Sequence, residues 1–184
     1  INGKPVNDLE PARRNVAMVY QQFINYPNFT VYKNMASPLE VAGVDLEEIR
    51  QRVGRVAEMM HLEDYLDRLP AELSGGQQQR VFLARALAQE PKILLADEPV
   101  ASLDPPTSHV VMRDLQRINR ELGITTIVNL HFLDLARVYA ERIVGLRGGE
   151  LVFDGAGSDA DENVFRDIYG RSLTADDVLE TTAP

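Results

Sequence analysis

Neither cysteine nor tryptophan occurs anywhere in the 184 residues. Without cysteine the chain builds no disulfide scaffold, no thiolate-ligated zinc or iron–sulfur centre, and no thiol nucleophile. Long apolar runs are missing too: none approaches the roughly 20 residues that a membrane-spanning helix requires. The chain begins Ile1-Asn2-Gly3-Lys4, not with the basic-then-apolar stretch of a secretory leader. Positive charge is scarce, with 19 Lys and Arg against 28 Asp and Glu, a formal net charge of −9. Nucleic acid and anionic lipid both need a cationic face, so neither is an expected partner. What remains is 45% hydrophobic and 26% charged. That is the balance of one globular domain, or of one core with a smaller attached lobe.

Residues 15–20, 92–96 and 124–130 are short apolar runs of the kind buried in parallel sheets. Residues 23–30, with Asn25, Pro27 and Asn28, predict a loop. Asp45 followed by Glu48 is a capping-box pattern, and Ile49, Val53, Val56, Met59 and Met60 then form one apolar stripe. Residues 45–69 are charge-rich and predict a small helical lobe. The breaker Leu73-Ser74-Gly75-Gly76 opens onto a helix over 77–89. Asp104 before Pro105 and Pro106 starts another helix, with Val111, Leu115, Ile118 and Leu122 on its buried face and Gly123 at its end. A short helix over 133–139 precedes two strands, 142–146 and 151–153, joined at Gly148-Gly149. Strands alternating with helices predict an α/β fold, a mostly parallel sheet with the final hairpin as its antiparallel edge. The acidic tail beyond Asp154 predicts two short helices and carries no motif.

Two segments carry chemistry. In Ile93-Leu94-Leu95-Ala96-Asp97-Glu98-Pro99, a buried strand ends in adjacent carboxylates. In parallel α/β sheets that edge binds ligands. One carboxylate there can hold Mg²⁺, and its neighbour can orient and deprotonate a water attacking a phosphate. Read alone, the segment is equally a strand ending in a polar turn before proline. In Leu73-Ser74-Gly75-Gly76-Gln77-Gln78-Gln79-Arg80, two glycines permit close backbone approach to a phosphate, and the following helix aims its N–H groups at the same spot. Arg80, one turn on, is either a phosphate partner or, as the favoured reading, part of a salt bridge within the lobe. His61 and His109 fit no motif and are expected on the solvated surface. Met59-Met60 belongs to helix core or lobe surface. Phe23, Tyr26, Phe29 and Tyr32 fit the core of the lobe.

With those residues in place the chain resembles the nucleotide-binding domain of ATP-binding cassette (ABC) transporters. LSGGQ at 73–77 is similar to the family signature, and ILLADEP at 93–99 to Walker B. Ala101-Ser102-Leu103-Asp104 resembles the D-loop, Val19-Tyr20-Gln21 the start of the Q-loop, and Asn129-Leu130-His131 the switch histidine. The resemblance implies a P-loop NTPase-like sheet with a small helical lobe over 30–88. The core would comprise 1–29 and 89–157, with a short tail over 158–184. It implies ATP and Mg²⁺ as ligands. Asp97 would hold the metal through water, Glu98 would be the general base, His131 would contact the γ-phosphate, and Gln21 would sense the metal. Ser74, Gly75, Gly76 and Gln77 would contact the ATP of an opposing subunit, with Asp104 at the dimer interface. Phe132 stands where the family usually has Asp or Asn. For Phe23, Tyr26, Phe29 and Tyr32 the resemblance implies an alternative to lobe core, the surface where the transmembrane subunit docks.

The resemblance also implies partners: a second ATPase subunit in a head-to-tail dimer, transmembrane permease subunits and, indirectly, a solute-binding protein outside the membrane. The expected location is the cytoplasmic face. Residues up to about Ala88 are similar to ATPases of sugar and glycerol importers, and those from about Gln89 onward to ATPases of phosphonate importers. Phosphonate is the first expectation for the solute and sugar the second. The P-loop pattern G-x-x-x-x-G-K-[ST] occurs nowhere in the chain. An N-terminally truncated domain is therefore expected, inactive alone and short of cover for its sheet.

Overall fold

The computed structural model describes residues 5–10, 14–20, 25–101, 103–174 and 177–179. Three parallel strands, β1 (Val16–Val19), β2 (Ile93–Asp97) and β3 (Thr125–Asn129), lie side by side in chain order. Their register sets Met18 beside Leu95 and Leu95 beside Ile127, and Asp97 beside Asn129. One sheet face is dry, with Ala17, Val19, Leu94 and Ala96 buried. The other is open: Met18 is 40% and Ile127 56% exposed.

Helices α1 (Val31–Val41), α2 (Leu46–Met59) and α3 (Gly75–Leu87) occupy the connection from β1 to β2. Thr30 caps α1 by accepting from the Lys33 amide, and Val31, Met35 and Leu39 form its buried stripe. Asp45 caps α2, accepting from the Glu47 amide at 2.9 Å. The reciprocal half of the predicted capping box is absent, because the Glu48 carboxylate is taken by Arg52 one turn on. Ile49, Val53, Ala57 and Met60 are buried, which puts Met60 in the core. Helix α3 is apolar nearly all round from Val81 to Ala88 and lies against both α1 and β1. It starts two residues earlier than predicted, since Ser74 supplies the cap and both glycines enter the first turn.

Helix α4 (Pro105–Leu122), capped by Asp104, carries Val111, Leu115 and Ile118 into the main core and ends at Gly123 with φ +64°. Helix α5 (Leu133–Tyr139) follows β3 as expected. Strands β4 (Arg142–Arg147) and β5 (Glu150–Ala156) then turn at Gly148 and Gly149, whose φ values of +60° and +85° suit glycine. The hairpin is not an edge of the parallel sheet; among the described residues it forms its own two-stranded sheet. Its inner face has another partner. Ile143 and Phe153 pack with Leu133, Ala160 and Phe165 in a second core, which includes helix α6 (Glu162–Tyr169). Gly145 sits so close to Ile168 that an added Cβ would lie 2.5 Å from it. Ahead of α6 the tail makes a single 3-10 turn, Gly157–Asp159. No helix among the described residues is long and apolar enough to cross a membrane.

Candidate functional site

The carboxyl ends of β2 and β3 bring four polar side chains together. Register places Asp97 beside Asn129, and the Asn129 amide donates to Asp97 Oδ1 at 2.9 Å. The chain then turns sharply: Glu98 has φ +46°, a left-handed conformation rarely held by a residue with a Cβ. Its amide donates to the Asn129 carbonyl at 3.0 Å, which fixes that turn to the end of β3. Glu98 Oε1 lies 2.6 Å from His131 Nε2, with the carboxylate mostly buried and the imidazole mostly exposed. Two predicted residues thirty-three positions apart thus meet. Holding a non-glycine residue in that conformation costs about 1–2 kcal/mol, a cost typical of sites where geometry serves a function.

Two residues of this site were not singled out as candidates by the sequence. Asn129 entered the sequence reading only as part of a motif, because strand register is not visible in one chain. Tyr169, whose hydroxyl donates to the His131 carbonyl at 3.0 Å, had no sequence signal at all.

The signature segment forms a second group at the start of α3. Ser74 Oγ accepts from the Gln77 amide at 3.3 Å, and Gln77 Oε1 accepts from the Ser74 amide at 2.9 Å. This reciprocal cap leaves the amides of Gly75 and Gly76 without an intrahelical acceptor, available to an anion. A Cβ on Gly76 would lie 2.8 Å from Thr107 Cγ2, so the starts of α3 and α4 touch. Thr107 is itself held by Asp104, through its amide at 3.0 Å and its hydroxyl at 2.8 Å. Those two donors keep the Asp104 carboxyl below the usual carboxylate range. No hydrogen bond or ion pair among the described residues links residues 74–77 to Asp97, Glu98 or His131.

Gln21, expected at the metal, lies outside the described residues, as do Gln22, Phe23 and Ser102. Arg80 does make an ion pair, but with Asp114 on α4 at 3.3 Å and not within the lobe. His61 is exposed as expected. His109 is not solvated: it is half-buried, with Nδ1 2.8 Å from the Tyr139 hydroxyl, because α5 crosses that end of α4. Tyr32 packs on the main core, whereas Tyr26 is half exposed and meets Phe29 in a tilted ring contact, centroids 5.2 Å apart. Buried Asn34 fixes this loop by bonding Tyr26 through both its amide and its carbonyl, and the carbonyls of Phe29 and Thr30. Arg85 lies across the rings of Tyr26 and Phe82, and burial pushes its guanidinium down.

Among the described residues no cluster of three His, Asp or Glu could cage a metal. One half-buried carboxylate, Asp97, with one oxygen oriented by Asn129, is nevertheless suited to Mg²⁺. That ion is commonly held by one or two carboxylates, with waters and phosphate oxygens completing the shell.

The family model described as ABC transporter matches residues 1–101. A phosphonates import ATP-binding protein, PhnC of Staphylococcus haemolyticus, is 50% identical over 97% of this chain and 75% of its own length. PhnC of Staphylococcus epidermidis is 47% identical over 91% of this chain and 68% of its own. That similarity runs through both halves of the chain, including residues that resemble sugar-importer ATPases. Among solved structures, cbiO1 from Clostridium perfringens, part of the ABC transporter complex cbiONQ, superposes with a TM-score of 0.76 at 29% identity. The overlap covers 86% of this chain but 64% of cbiO1, so the chain spans less than two thirds of that protein. The dimeric cassette MJ0796 bound to ADP and Pi gives 0.70 at 37% identity, over 85% of this chain and 71% of that one.

Proposed function

This chain belongs to the ABC transporter family, and from that premise we propose that it works in the ATP-hydrolysing subunit of an importer for phosphonate-type solutes. ATPases of this family use a nucleotide with Mg²⁺ and act beside membrane permeases. The solute reading draws on the phosphonate importers that the chain resembles along nearly its whole length. Within it, residues 30–88 are the helical lobe, 1–29 and 89–157 the RecA-like core, and 158–184 a short tail. The subunit would sit on the cytoplasmic face against its permeases and pair head to tail with a second ATPase subunit. A solute-binding protein would act on the far side.

The observation that carries the reading is the 2.6 Å contact between Glu98 and His131 at the carboxyl edge of the sheet, beside Asp97. Glu98 is the general base: its carboxylate takes a proton from the water that attacks the γ-phosphate, and ADP leaves. His131, already on Glu98, steadies that water and meets the γ-phosphate. Asp97 would hold Mg²⁺ through water, with Gln21 as a second metal-sensing group; when bound, the ion neutralises charge on the phosphate oxygens. Ser74, Gly75, Gly76 and Gln77 present a hydroxyl and free amides to the ATP of the opposing subunit, and Asp104 shapes the same edge.

The test is steady-state ATP hydrolysis by the chain joined to a P-loop segment, with Glu98→Gln alongside. Loss of a general base lowers turnover by about 10²–10⁴-fold, while nucleotide binding persists. Equal turnover by the variant would refute the assignment. Co-purification with candidate permeases separates solutes: retention by the sugar-type permease alone rejects phosphonate.

A further inference from the structure

Among the described residues the turn that carries His131 has no local side-chain cap. Phe132, the N-cap residue of α5, makes no side-chain capping bond, so the turn carrying the imidazole is not fixed by the local device that Ser, Asp or Asn would provide. The brace comes from the tail. Tyr169, the last residue of α6, donates its hydroxyl to the His131 carbonyl at 3.0 Å. Helix α6 is in turn anchored by Phe165 in the second core and by Ile168 against Gly145.

Beyond Gly170 the chain folds back and locks. Arg171, 5.3 Å from the Tyr169 ring, grips Asp177 with both terminal nitrogens at 2.7 and 2.8 Å. Asp177 also accepts from the Thr174 amide and hydroxyl. The Leu179 amide then donates to Asp134 in the first turn of α5 at 3.0 Å. Burial pushes the Tyr169 phenol up, so it stays protonated and remains the donor at neutral pH. The segment bearing the imidazole is thus held by residues that lie 38 positions further on.

We propose that Tyr169 is a positioning residue that, through the His131 carbonyl, holds the imidazole on Glu98. The placement stands on the geometry; its effect on turnover rests on the ATPase reading above. The test is Tyr169→Phe, which removes one oxygen and keeps the ring. Long-range ¹H–¹⁵N spectra of the histidine ring read the placement without nucleotide. Glu98→Gln shifts the His131 ring nitrogens in the parent chain, and in Tyr169→Phe that response falls to half or less. An undiminished response overturns the proposal.

Arg171→Met, which loosens the tail but leaves the hydroxyl, keeps clearly more of the parent response than Tyr169→Phe does. If it removes the response as fully as Tyr169→Phe does, the tail acts as bulk support and the proposal falls. In the ATP-hydrolysing protein, Tyr169→Phe lowers kcat about three- to tenfold with KM for ATP unchanged, the signature of an interaction needed in the transition state. A raised KM with unchanged kcat contradicts it. A parent protein that hydrolyses no ATP defeats the ATPase reading alone, and the ring spectra still decide the placement.

Discussion

Replacing Gly76 by alanine should act on stability through one identifiable atom. The new Cβ would meet Thr107 Cγ2 at 2.8 Å, roughly an ångström inside ordinary carbon–carbon contact. Thr107 cannot rotate its methyl away freely, because Asp104 holds both its amide and its hydroxyl. Overpacking of this kind costs about 1–3 kcal/mol. Against it stands a gain of up to about 1 kcal/mol from Gly→Ala within a helix. The net loss is then about 0–3 kcal/mol, a range that does not identify its cause by itself. Thr107→Ser settles the matter, because serine keeps the hydroxyl on Asp104 and lacks the methyl. In that background Gly76→Ala should become stabilising, so the two changes couple by about 1–3 kcal/mol. Urea unfolding of the four proteins measures the coupling. Additivity within about 0.5 kcal/mol would show that the two helix starts do not press on each other and would refute the argument.

Other outcomes follow from single features. Gln79 is fully buried, and among the described residues neither of its amide atoms has a partner, so Gln79→Met should raise stability by about 1–3 kcal/mol; a lower melting temperature would count against this. Asp104 has a folded-state pKa below its ordinary value because of the Thr107 amide, so its stabilisation is present above the unfolded pKa and is lost as pH falls through the folded one. Asp104→Asn keeps the cap and removes that titration; its melting temperature should lose less than the parent's on acidification, and parallel curves would contradict this. The open sheet face at Met18 and Ile127, with Val144, Leu146 and Leu151 on the hairpin, should make the 184-residue chain bind anilinonaphthalene sulfonate in the folded state. Dye fluorescence no higher than with a well-covered domain of similar size would refute it.

The three parallel strands were legible because each is a compact apolar run between turn residues, and α4 because its Asp104 cap and its apolar stripe agree. The site was legible where a motif is local, as at Ser74–Gln77 or Asp97–Glu98. What escaped is long-range. Asn129 reaches Asp97 only through register, which no spacing encodes. Tyr169 sits on a tail with no pattern of its own. The hairpin was placed on the wrong sheet because alternation shows that a face is buried but not against what. Glu48 passed for half of a capping box, although Arg52, also in sequence view, competes for the same carboxylate.

The separation into two cores has a consequence for cooperativity. The smaller core joins residues from Leu133 to Leu173, all close in sequence, whereas the larger collects side chains from Ala17 to Leu179. Short-range contacts close cheaply and open cheaply, so the hairpin and α6 form a unit that can unfold by itself below the global free energy. Amide exchange should accordingly be faster in β4, β5 and α6 than in α3 or β2. Since Tyr169 belongs to the looser unit and its acceptor, the His131 carbonyl, lies just ahead of the helix shared by both, each local opening releases the imidazole while the parallel strands remain closed.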